Sequence, residues 1–183
     1  SGTFDLVALR GATQHWTGAA IRAGLLRVEA PLGAVSLTGA GNRITSLGDS
    51  AVAAGLSLAN AGALSVAGNL VGGRISLSTD RGDLTQDPAG SRIIADELQA
   101  VAWAGEVLFD GTLNAIARLY GRARDGFVVD AGGPLLLAAP VTAATVELRA
   151  IGEVAQDLGA RITAGRLAVN AIGGAVTLDD PLN

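Results

Sequence analysis

The residues best suited to recognition chemistry lie in the middle of the chain. Arg118, Arg122 and Arg124 flank Tyr120, and Trp103 lies a short distance upstream. A guanidinium group donates paired hydrogen bonds to carboxylate or sulfate groups, and an aromatic ring stacks on the apolar face of a sugar. These five residues form a candidate interaction patch for an acidic glycan or another protein. The competing interpretation is a solvated loop or strand, with Trp103 packed beneath a neighbouring loop.

The tripeptide Arg81-Gly82-Asp83 has the composition that integrins recognise. Related residues stand at the equivalent places of the chain, Arg10-Gly11-Ala12 and Gly152-Glu153. Glycine at this position therefore belongs to an internal repeat, and only the combination of Arg and Asp around it is particular. We interpret the tripeptide as a coincidental match in preference to a working integrin site.

The aspartates do not have the spacing of a metal site. Asp80, Asp83 and Asp87 are close in sequence, and Asp179 and Asp180 are adjacent. Neither the nonapeptide repeat of calcium β-rolls nor the spacing of an EF-hand occurs. We interpret these carboxylates as solvated turn residues and expect no metal ion.

No arrangement of residues supports catalysis. His15 is the single histidine, and Asp87 and Asp157 replace it in the other copies of the repeat. The chain has no Cys, and all 13 basic residues are Arg, so no Lys can serve a phosphate-binding loop. Enzymes built on β-helices have long loops that form a cleft, whereas these repeats are regular with short turns. We expect no enzyme, no catalytic residue and no cofactor; a carbohydrate-active enzyme is the least favoured alternative.

The residues above are interpreted against an internal repeat with a period of about 70 residues. The same motif begins at Gln14, Gln86 and Gln156, and each copy ends at an asparagine, namely Asn42, Asn114 or Asn183. The units span approximately 4–74, 75–145 and 146–183, the last being incomplete. We expect residues 1–183 to be one continuous segment of a longer array.

The repeated glutamines and asparagines could form a row of ligand-binding side chains, but a structural role is favoured. Asn is typical of left-handed turns, where it binds its own backbone, and Gln can satisfy turn amides. Equivalent side chains would be about three coils apart, roughly 14 Å along the axis, and so could not stack on one another.

The apolar pattern within a unit predicts strands that have one buried face. Leu26, Val28 and Ala30 alternate with Arg27 and Glu29. Hydrophobic residues make up 49% of the chain but aromatic residues only 3%, and 26 residues are Gly, which favours thin aliphatic layers joined by tight turns. The prediction is an all-β fold, a single-stranded parallel β-helix (solenoid) with about three coils in each unit of about 70 residues. The predicted inner-face residues include Leu26, Val35, Leu98, Val107, Leu167 and Val176.

Composition also limits the class of partner. The net charge is −4, which argues against a general nucleic-acid binder. Gly and polar residues interrupt every apolar stretch before it reaches the length of about 18 residues that a membrane helix needs. We therefore predict no nucleic-acid partner and no membrane insertion of this segment. The absence of Cys is compatible with export.

Three stretches of the repeat resemble a known family. They are Gly-Asn-Arg-Ile-Thr-Ser-Leu-Gly at 41–48, the segment 56–68 and the segment 75–86. Together they resemble the shaft repeats of filamentous-haemagglutinin-like exoproteins, which are bacterial proteins of the two-partner-secretion or autotransporter type. The resemblance implies a right-handed parallel β-helix, secretion or display at the bacterial cell surface, and a role as an adhesin or as the stalk of one.

The repeat predicts a rigid rod that displays regions carried elsewhere on the polypeptide, and the resemblance implies that these regions are adhesive. Its expected partners are further β-helix repeats at both ends and a host or cell-surface glycan or protein. Direct binding through the Arg118–Arg124 region is the alternative function. A self-assembling extracellular filament is another, because the end of a β-helix offers unpaired strand edges for end-to-end association.

Overall fold

The computed structural model describes residues 2–15 and 18–183, which fold into a series of β-strands. Trp16 and Thr17, which belong to the first copy of the repeated motif, lie outside the described residues. Across the described ranges, no helix has the length and apolarity that a membrane crossing requires. The strands are β1 (Thr3–Val7), β2 (Gly11–Thr13), β3 (Arg22–Ala30), β4 (Ala34–Leu37), β5 (Arg43–Leu47), β6 (Ser50–Asn60), β7 (Leu64–Val66), β8 (Asn69–Thr79), β9 (Leu84–Gln86), β10 (Arg92–Ala102), β11 (Val107–Phe109), β12 (Ala115–Ala123), β13 (Gly126–Ala131), β14 (Leu135–Gln156) and β15 (Ile162–Thr177).

Every pairing between these strands is parallel. The odd-numbered strands from β1 to β13 form one row, and the even-numbered strands from β2 to β12 form a second row. The long strand β14 joins both rows, β3 also pairs with β6 of the other row, and β15 pairs with β14. The all-β parallel β-helix predicted from the sequence is therefore confirmed, with about eight turns. A right-handed winding stays a prediction.

The length of a coil follows from the register of the strands. Successive partners are 18 residues apart at Arg118 and Leu136 and 23 residues apart at Leu84 and Val107. Starting at Ala12, seven steps of this kind reach the level of Gln156, by way of Val35, Leu56, Ile75, Leu98, Leu119 and Leu137. Two repeat periods separate Gln14 from Gln156, so that one unit contains about three and a half coils.

Because a unit contains about three and a half coils, successive units begin on alternate sides of the solenoid. Gln14 and Gln156 lie in the even-numbered row, whereas Gln86 lies at the end of β9 in the odd-numbered row. With a coil spacing of about 4.8 Å, equivalent residues are separated by about 17 Å along the axis and also by the width of the rod. Equivalent side chains of neighbouring units therefore do not stack, as the sequence analysis predicted.

The core is one continuous stack of buried aliphatic side chains running along the solenoid. Leu26, Val35, Leu98 and Val107 are at most 1% exposed, which confirms them as inner-face residues. Each such side chain contributes about 1.5–3 kcal/mol relative to an exposed position. The core thus supplies the principal stabilisation of a fold that has no disulfide.

Two phenylalanines lie in the core, and one of them, Phe127, packs beside a glycine. Phe109 and Phe127 are fully buried, in layers otherwise filled by aliphatic residues. The ladder position occupied by Leu77 in one coil is occupied by Ala100 and then Gly121 in the next two coils. A Cβ atom at Gly121 would meet the Ala100 carbonyl oxygen and the Phe127 ring. Glycine at 121 therefore makes room for an aromatic ring inside a narrow coil.

Leu167 and Val176 keep their predicted register but not their predicted burial. They pair with Val146 and Val154, which are fully buried positions of the preceding coil. Leu167 is nevertheless 43% exposed and Val176 48% exposed. The reason is that β15 pairs with β14 along one edge, so that these side chains are covered from one side.

Candidate interaction surface

The predicted patch is assembled from two successive coils of the even-numbered row. Arg118, Tyr120 and Arg122 alternate along β12 and face outward, and Arg124 follows the end of that strand. Trp103 directly follows β10, one coil earlier. The pairing of Val101 with Arg122 and the bond from Arg124 N to Ala102 O bring Trp103 beside the two later arginines. The structure therefore brings the sequence-predicted residues together on one surface.

Trp103 and Arg122 make the closest contact within the patch. The Arg122 Cζ atom lies 4.9 Å from the centroid of the Trp103 ring, the geometry of a cation–π pair. Trp103 is 54% exposed. Trp103 therefore packs against an arginine side chain rather than beneath a neighbouring loop, and half of its surface remains open to solvent.

In the other half of the patch, Arg118 and Tyr120 interact with carboxylates of the same chain. Arg118 Nη2 lies 2.8 Å from Asp157 Oδ2, and Tyr120 Oη donates to Glu97 Oε1 over 3.1 Å. Arg74 Nε lies 3.0 Å from the same Glu97 oxygen. Arg118 and Tyr120 thus join a strip of alternating charge that runs across the coils. The positive charge available to a ligand is concentrated at Arg122 and Arg124, which are both exposed.

The environment of Tyr120 stabilises its neutral form. Partial burial raises the pKa of the phenol, and the hydrogen bond and negative charge of Glu97 raise this pKa further. The charge of Arg74 acts in the opposite direction but does not reverse the shift. Tyr120 is therefore a hydrogen-bond donor that is held in place, not an acid poised to lose its proton near neutral pH.

The tripeptide Arg81-Gly82-Asp83 forms a short turn between β8 and β9. Gly82 has a φ of +95°, and the equivalent Gly11 and Gly152 have φ values of +109° and +114°. All three units therefore require glycine here, because this backbone conformation is unfavourable for other residues. Asp83 Oδ1 accepts a hydrogen bond from Glu106 N at 3.0 Å, which ties the carboxylate to the next coil. These features support the interpretation of the tripeptide as part of the turn.

The predicted solvated aspartates divide into two kinds. Asp80, Asp83, Asp87 and Asp179 are exposed, as the sequence analysis expected. Asp180 is not, because it is 8% exposed and its carboxylate accepts bonds from Gly159 N at 2.7 Å and Leu182 N at 2.9 Å. Among the described residues, no group of His, Cys, Asp and Glu side chains is arranged to hold a metal ion.

His15, the single histidine, is exposed in the corner that follows Gln14. The side chain of Gln14 is engaged instead with Asn42, through a hydrogen bond of 3.0 Å from Gln14 Nε2 to Asn42 Oδ1. The corner is therefore organised by an amide side chain, and His15 projects from it.

The repeated glutamines and asparagines pair within each unit, a relationship that the sequence analysis missed. Gln86 Nε2 donates to Asn114 Oδ1 at 2.8 Å, and Asn114 Nδ2 donates to Gln86 Oε1 at 2.8 Å. The same two reciprocal bonds join Gln14 to Asn42 and Gln156 to Asn183. The signal was present in the sequence, because the two residues of each pair are separated by 28, 28 and 27 positions.

Each amide pair also satisfies backbone groups at the corner of a coil. Asn114 Oδ1 accepts from Ile93 N at 2.8 Å, and Gln86 Oε1 accepts from Gly111 N at 3.3 Å. Gln86 Nε2 donates to Ser91 O at 3.3 Å, which fixes the far side of the corner. The prediction that Gln satisfies turn amides is therefore confirmed.

The predicted left-handed conformation of the asparagines is wrong. Among the described residues, positive φ values occur at glycines and at no other residue type. Each asparagine instead closes a turn through its own N–H group, as Asn114 N does with Gly111 O at 3.1 Å, and its side chain binds the backbone of an adjacent coil. Asn42 and Asn114 are completely buried, so they present nothing to a ligand.

Comparison with known proteins identifies a repeat family over the last third of the chain. Residues 124–183 match a family described as "Repeats of unknown function (DUF5649)". No curated protein and no solved structure matches the chain significantly. The match supports the repetitive architecture and assigns no activity to it.

The amide pairs make a first prediction. Replacing Asn114 by Ala removes both reciprocal bonds and leaves the Ile93 N–H group buried without a partner. We expect the free energy of unfolding to fall by about 2–4 kcal/mol, measured by urea denaturation. Asn170→Ala, at an exposed asparagine of β15, is the matched control and should change it by less than about 0.5 kcal/mol.

A double-mutant cycle tests the pairing itself. Because Gln86 and Asn114 act as one unit, the loss in Gln86→Ala/Asn114→Ala should be smaller than the sum of the two single losses. Strictly additive losses would show that the two amides act independently.

Tyr120 makes a second prediction, which concerns alkaline pH. The pKa of Tyr120 is raised above its ordinary value of 10.0 in the folded chain, so the folded state retains the proton more strongly than the unfolded state. The stabilisation is complete below about pH 10 and is lost as the pH rises through the folded-state pKa. The unfolding free energy of the native chain should therefore fall more steeply above about pH 10 than that of Tyr120→Phe.

The composition of the chain makes this pH dependence specific to Tyr120. The chain contains one Tyr, no Cys and no Lys, so Tyr120 is the only side chain that titrates in this range. Tyrosinate absorbance follows its ionisation directly, while circular dichroism in urea follows stability. An equal pH dependence in the native chain and the Phe variant would contradict the assignment.

Proposed function

We propose that this chain is a non-enzymatic structural shaft of a large bacterial exoprotein that is secreted or displayed at the cell surface. The observation that carries the proposal is the stacking of about eight parallel coils around one continuous core. In such a solenoid each coil contacts the coils before and after it, so length is increased by adding coils without designing a new core. The resemblance of the repeats to the shafts of filamentous-haemagglutinin-like adhesins points to the same role.

The shape of the cross-section favours a spacer over an enzyme. The turns between coils are short, and the Gln–Asn pairs close the longer corners with bonds to the backbone. Backbone bonds between coils resist bending along the axis because many must be distorted together. The role of the rod in this proposal is to hold adhesive regions at a fixed distance from their attachment point.

Extension of the rod tests the proposal. Inserting a second copy of residues 15–156 after Gln156 adds two complete repeat periods, which correspond to seven coils in register. Small-angle X-ray scattering should show the longest dimension increasing by about 34 Å at an unchanged cross-section. An insertion of residues 15–86 instead adds one repeat period, or about three and a half coils, and so exchanges the two rows. Small-angle X-ray scattering can then compare the lengths of the two insertion products.

A structural shaft should give a monomeric rod whose length increases linearly with the number of coils. A globular or collapsed product, or a length that does not increase, would refute the role as a modular spacer.

A second candidate function is direct recognition of an acidic glycan at the patch around Trp103. The specific observation in its favour is the exposed Trp103 ring with Arg122 stacked 4.9 Å from its centroid and Arg124 beside it. The exposed part of the ring would contact the apolar face of a sugar, and the guanidinium groups would bind its carboxylate or sulfate. The first unit has neutral residues in place of these arginines, so the patch is a local departure from the scaffold.

Substitution of the arginines tests this second candidate. The triple variant Arg118→Gln/Arg122→Gln/Arg124→Gln should weaken retention on immobilised heparin and binding to acidic glycans by about tenfold or more, since each charge-assisted bond contributes about 1.5–3 kcal/mol. Arg22→Gln/Arg43→Gln/Arg166→Gln, at exposed arginines outside the patch, removes the same charge and is the control. Binding that survives the first variant, or is lost equally in both, would eliminate the patch as a specific site.

A further inference from the structure

The corner that follows β9 contains a peptide bond of unusual chemical lability. The residues after Gln86 are Asp87, Pro88, Ala89, Gly90 and Ser91. In an Asp–Pro sequence the side-chain carboxyl can attack its own main-chain carbonyl, and the basic proline nitrogen is a good leaving group once it is protonated. Residues 87–90 are exposed, so water reaches this bond. The equivalent corners after Gln14 and Gln156 have no Asp–Pro sequence.

The main-chain carbonyl of Asp87 is surrounded by hydrogen-bond donors. Ser91 Oγ donates to it at 2.7 Å, Ser91 N at 3.1 Å and Gly90 N at 3.4 Å. Ser91 is itself buried, and its own carbonyl accepts the bond from Gln86 that closes the corner. Donors held on a carbonyl oxygen stabilise the negative charge that develops there when the carbonyl carbon is attacked. The amide pair therefore helps to hold an arrangement of donors similar to an oxyanion hole.

The carboxyl group of Asp87 is held close to the same carbonyl. Asp87 Oδ1 accepts a hydrogen bond from Ala89 N at 3.0 Å, which folds the side chain back along its own main chain in an Asx turn. Holding two reacting groups of one residue in a fixed relation raises the rate of their reaction. The nucleophile, the polarised carbonyl and the leaving group are thus all provided by one corner.

We propose that the Asp87–Pro88 bond is a self-cleavage site that operates under mildly acidic conditions. An oxygen of the neutral Asp87 carboxyl forms a bond to the Asp87 carbonyl carbon, and the tetrahedral species is stabilised by Ser91 Oγ and Ser91 N. The bond from this carbon to the Pro88 nitrogen then breaks, and the carboxyl proton moves to that nitrogen. The products are a cyclic anhydride at Asp87 and a new chain that begins with the secondary amine of Pro88.

Water completes the reaction without any other reagent. It adds to one anhydride carbonyl and opens the ring, which leaves Asp87 with a free α-carboxyl group and its original side chain. The net change is hydrolysis of one peptide bond. Because the attacking carboxyl must be neutral, the rate increases as the pH falls.

The charged groups around the corner are few among the described residues. Asp110 lies one position beyond Phe109, at the level of Asp87 in the next coil, and Arg92 follows the corner at the start of β10. Asn69, Thr112 and Leu113 complete the surface beside Pro88. Asp110, Arg92 and Asp49, whose Oδ1 accepts a hydrogen bond from Asn69 N at 2.8 Å, are thus the charged residues that neighbour this corner.

The chain contains its own reference bond. Asp180–Pro181 is the same dipeptide, but its carbonyl accepts one backbone bond, from Asn183 N at 3.2 Å. The Asp180 carboxylate makes the same Asx turn, to Leu182 N at 2.9 Å, but its second oxygen is engaged with Gly159 N at 2.7 Å. We expect the folded chain to cleave at Asp87–Pro88 at least about tenfold faster than at Asp180–Pro181, because removal of a dedicated oxyanion donor typically costs more than this.

The experiment compares both bonds in one incubation. The intact chain is held at about pH 4, near the ordinary pKa of an aspartate side chain, and in parallel at neutral pH. Samples are denatured before mass spectrometry, because the two parts of a cut solenoid remain paired. The expected product pair is 1–87 and 88–183, formed in acid and not at neutral pH. In concentrated urea the preference for Asp87–Pro88 should disappear, since the donors are then dispersed.

Variants assign the roles of the two side chains. Asp87→Asn should abolish the acid-dependent cut, and Ser91→Ala should slow it by about tenfold, whereas Ser91→Thr, which retains the hydroxyl, should keep the rate. Circular dichroism at the same pH establishes that each variant is folded. Equal rates at the two Asp–Pro bonds of the folded chain, absence of cleavage at Asp87, or a rate unaffected by Ser91→Ala would each overturn the proposal.

Discussion

Backbone pairing between successive coils sets the condition that every other part of this fold must meet. Each N–H and C=O group of a strand is matched by the coil before or after it, so a buried backbone group has a partner as long as the register continues. The inward side chains then form columns, as with Ile75, Leu98 and Leu119. A large residue is accommodated when its neighbours in adjacent columns are small, which explains why Phe127 accompanies Gly121.

The corners are the places where this pairing stops, and the Gln–Asn pairs replace it there. One pair binds backbone groups on both sides of a corner with its two side-chain amides, and every polar atom of the Gln86–Asn114 pair is used. The corner outside the pair is free to vary. It differs in sequence among the three units, and in the third it is one residue shorter although the pair persists.

The outer surface likewise combines features that follow the repeat with positions that differ between units. On the even-numbered row the charges of Arg74 and Glu97 and the neutral phenol of Tyr120 interact across neighbouring coils, which keeps the surface polar and locally balanced. The Trp103–Arg122 contact stands at the edge of this strip and differs from it in being aromatic and positively charged. The residues for which we propose chemistry therefore lie where a unit departs from its copies: Trp103, the later arginines and the Asp–Pro corner.

The sequence by itself determined the class of fold, because a period of two within strands and a period of about 70 between units are properties of the chain alone. It also identified Leu26, Val35, Leu98 and Val107 as core residues, and it grouped Trp103 with the arginines. Only the tertiary structure decided that a unit contains about three and a half coils, because this number depends on pairings between residues 18 to 23 positions apart. The same long-range pairing brought Gln86 to Asn114, Arg118 to Asp157 and Tyr120 to Glu97, contacts whose energy depends on distance in space and not on separation along the chain.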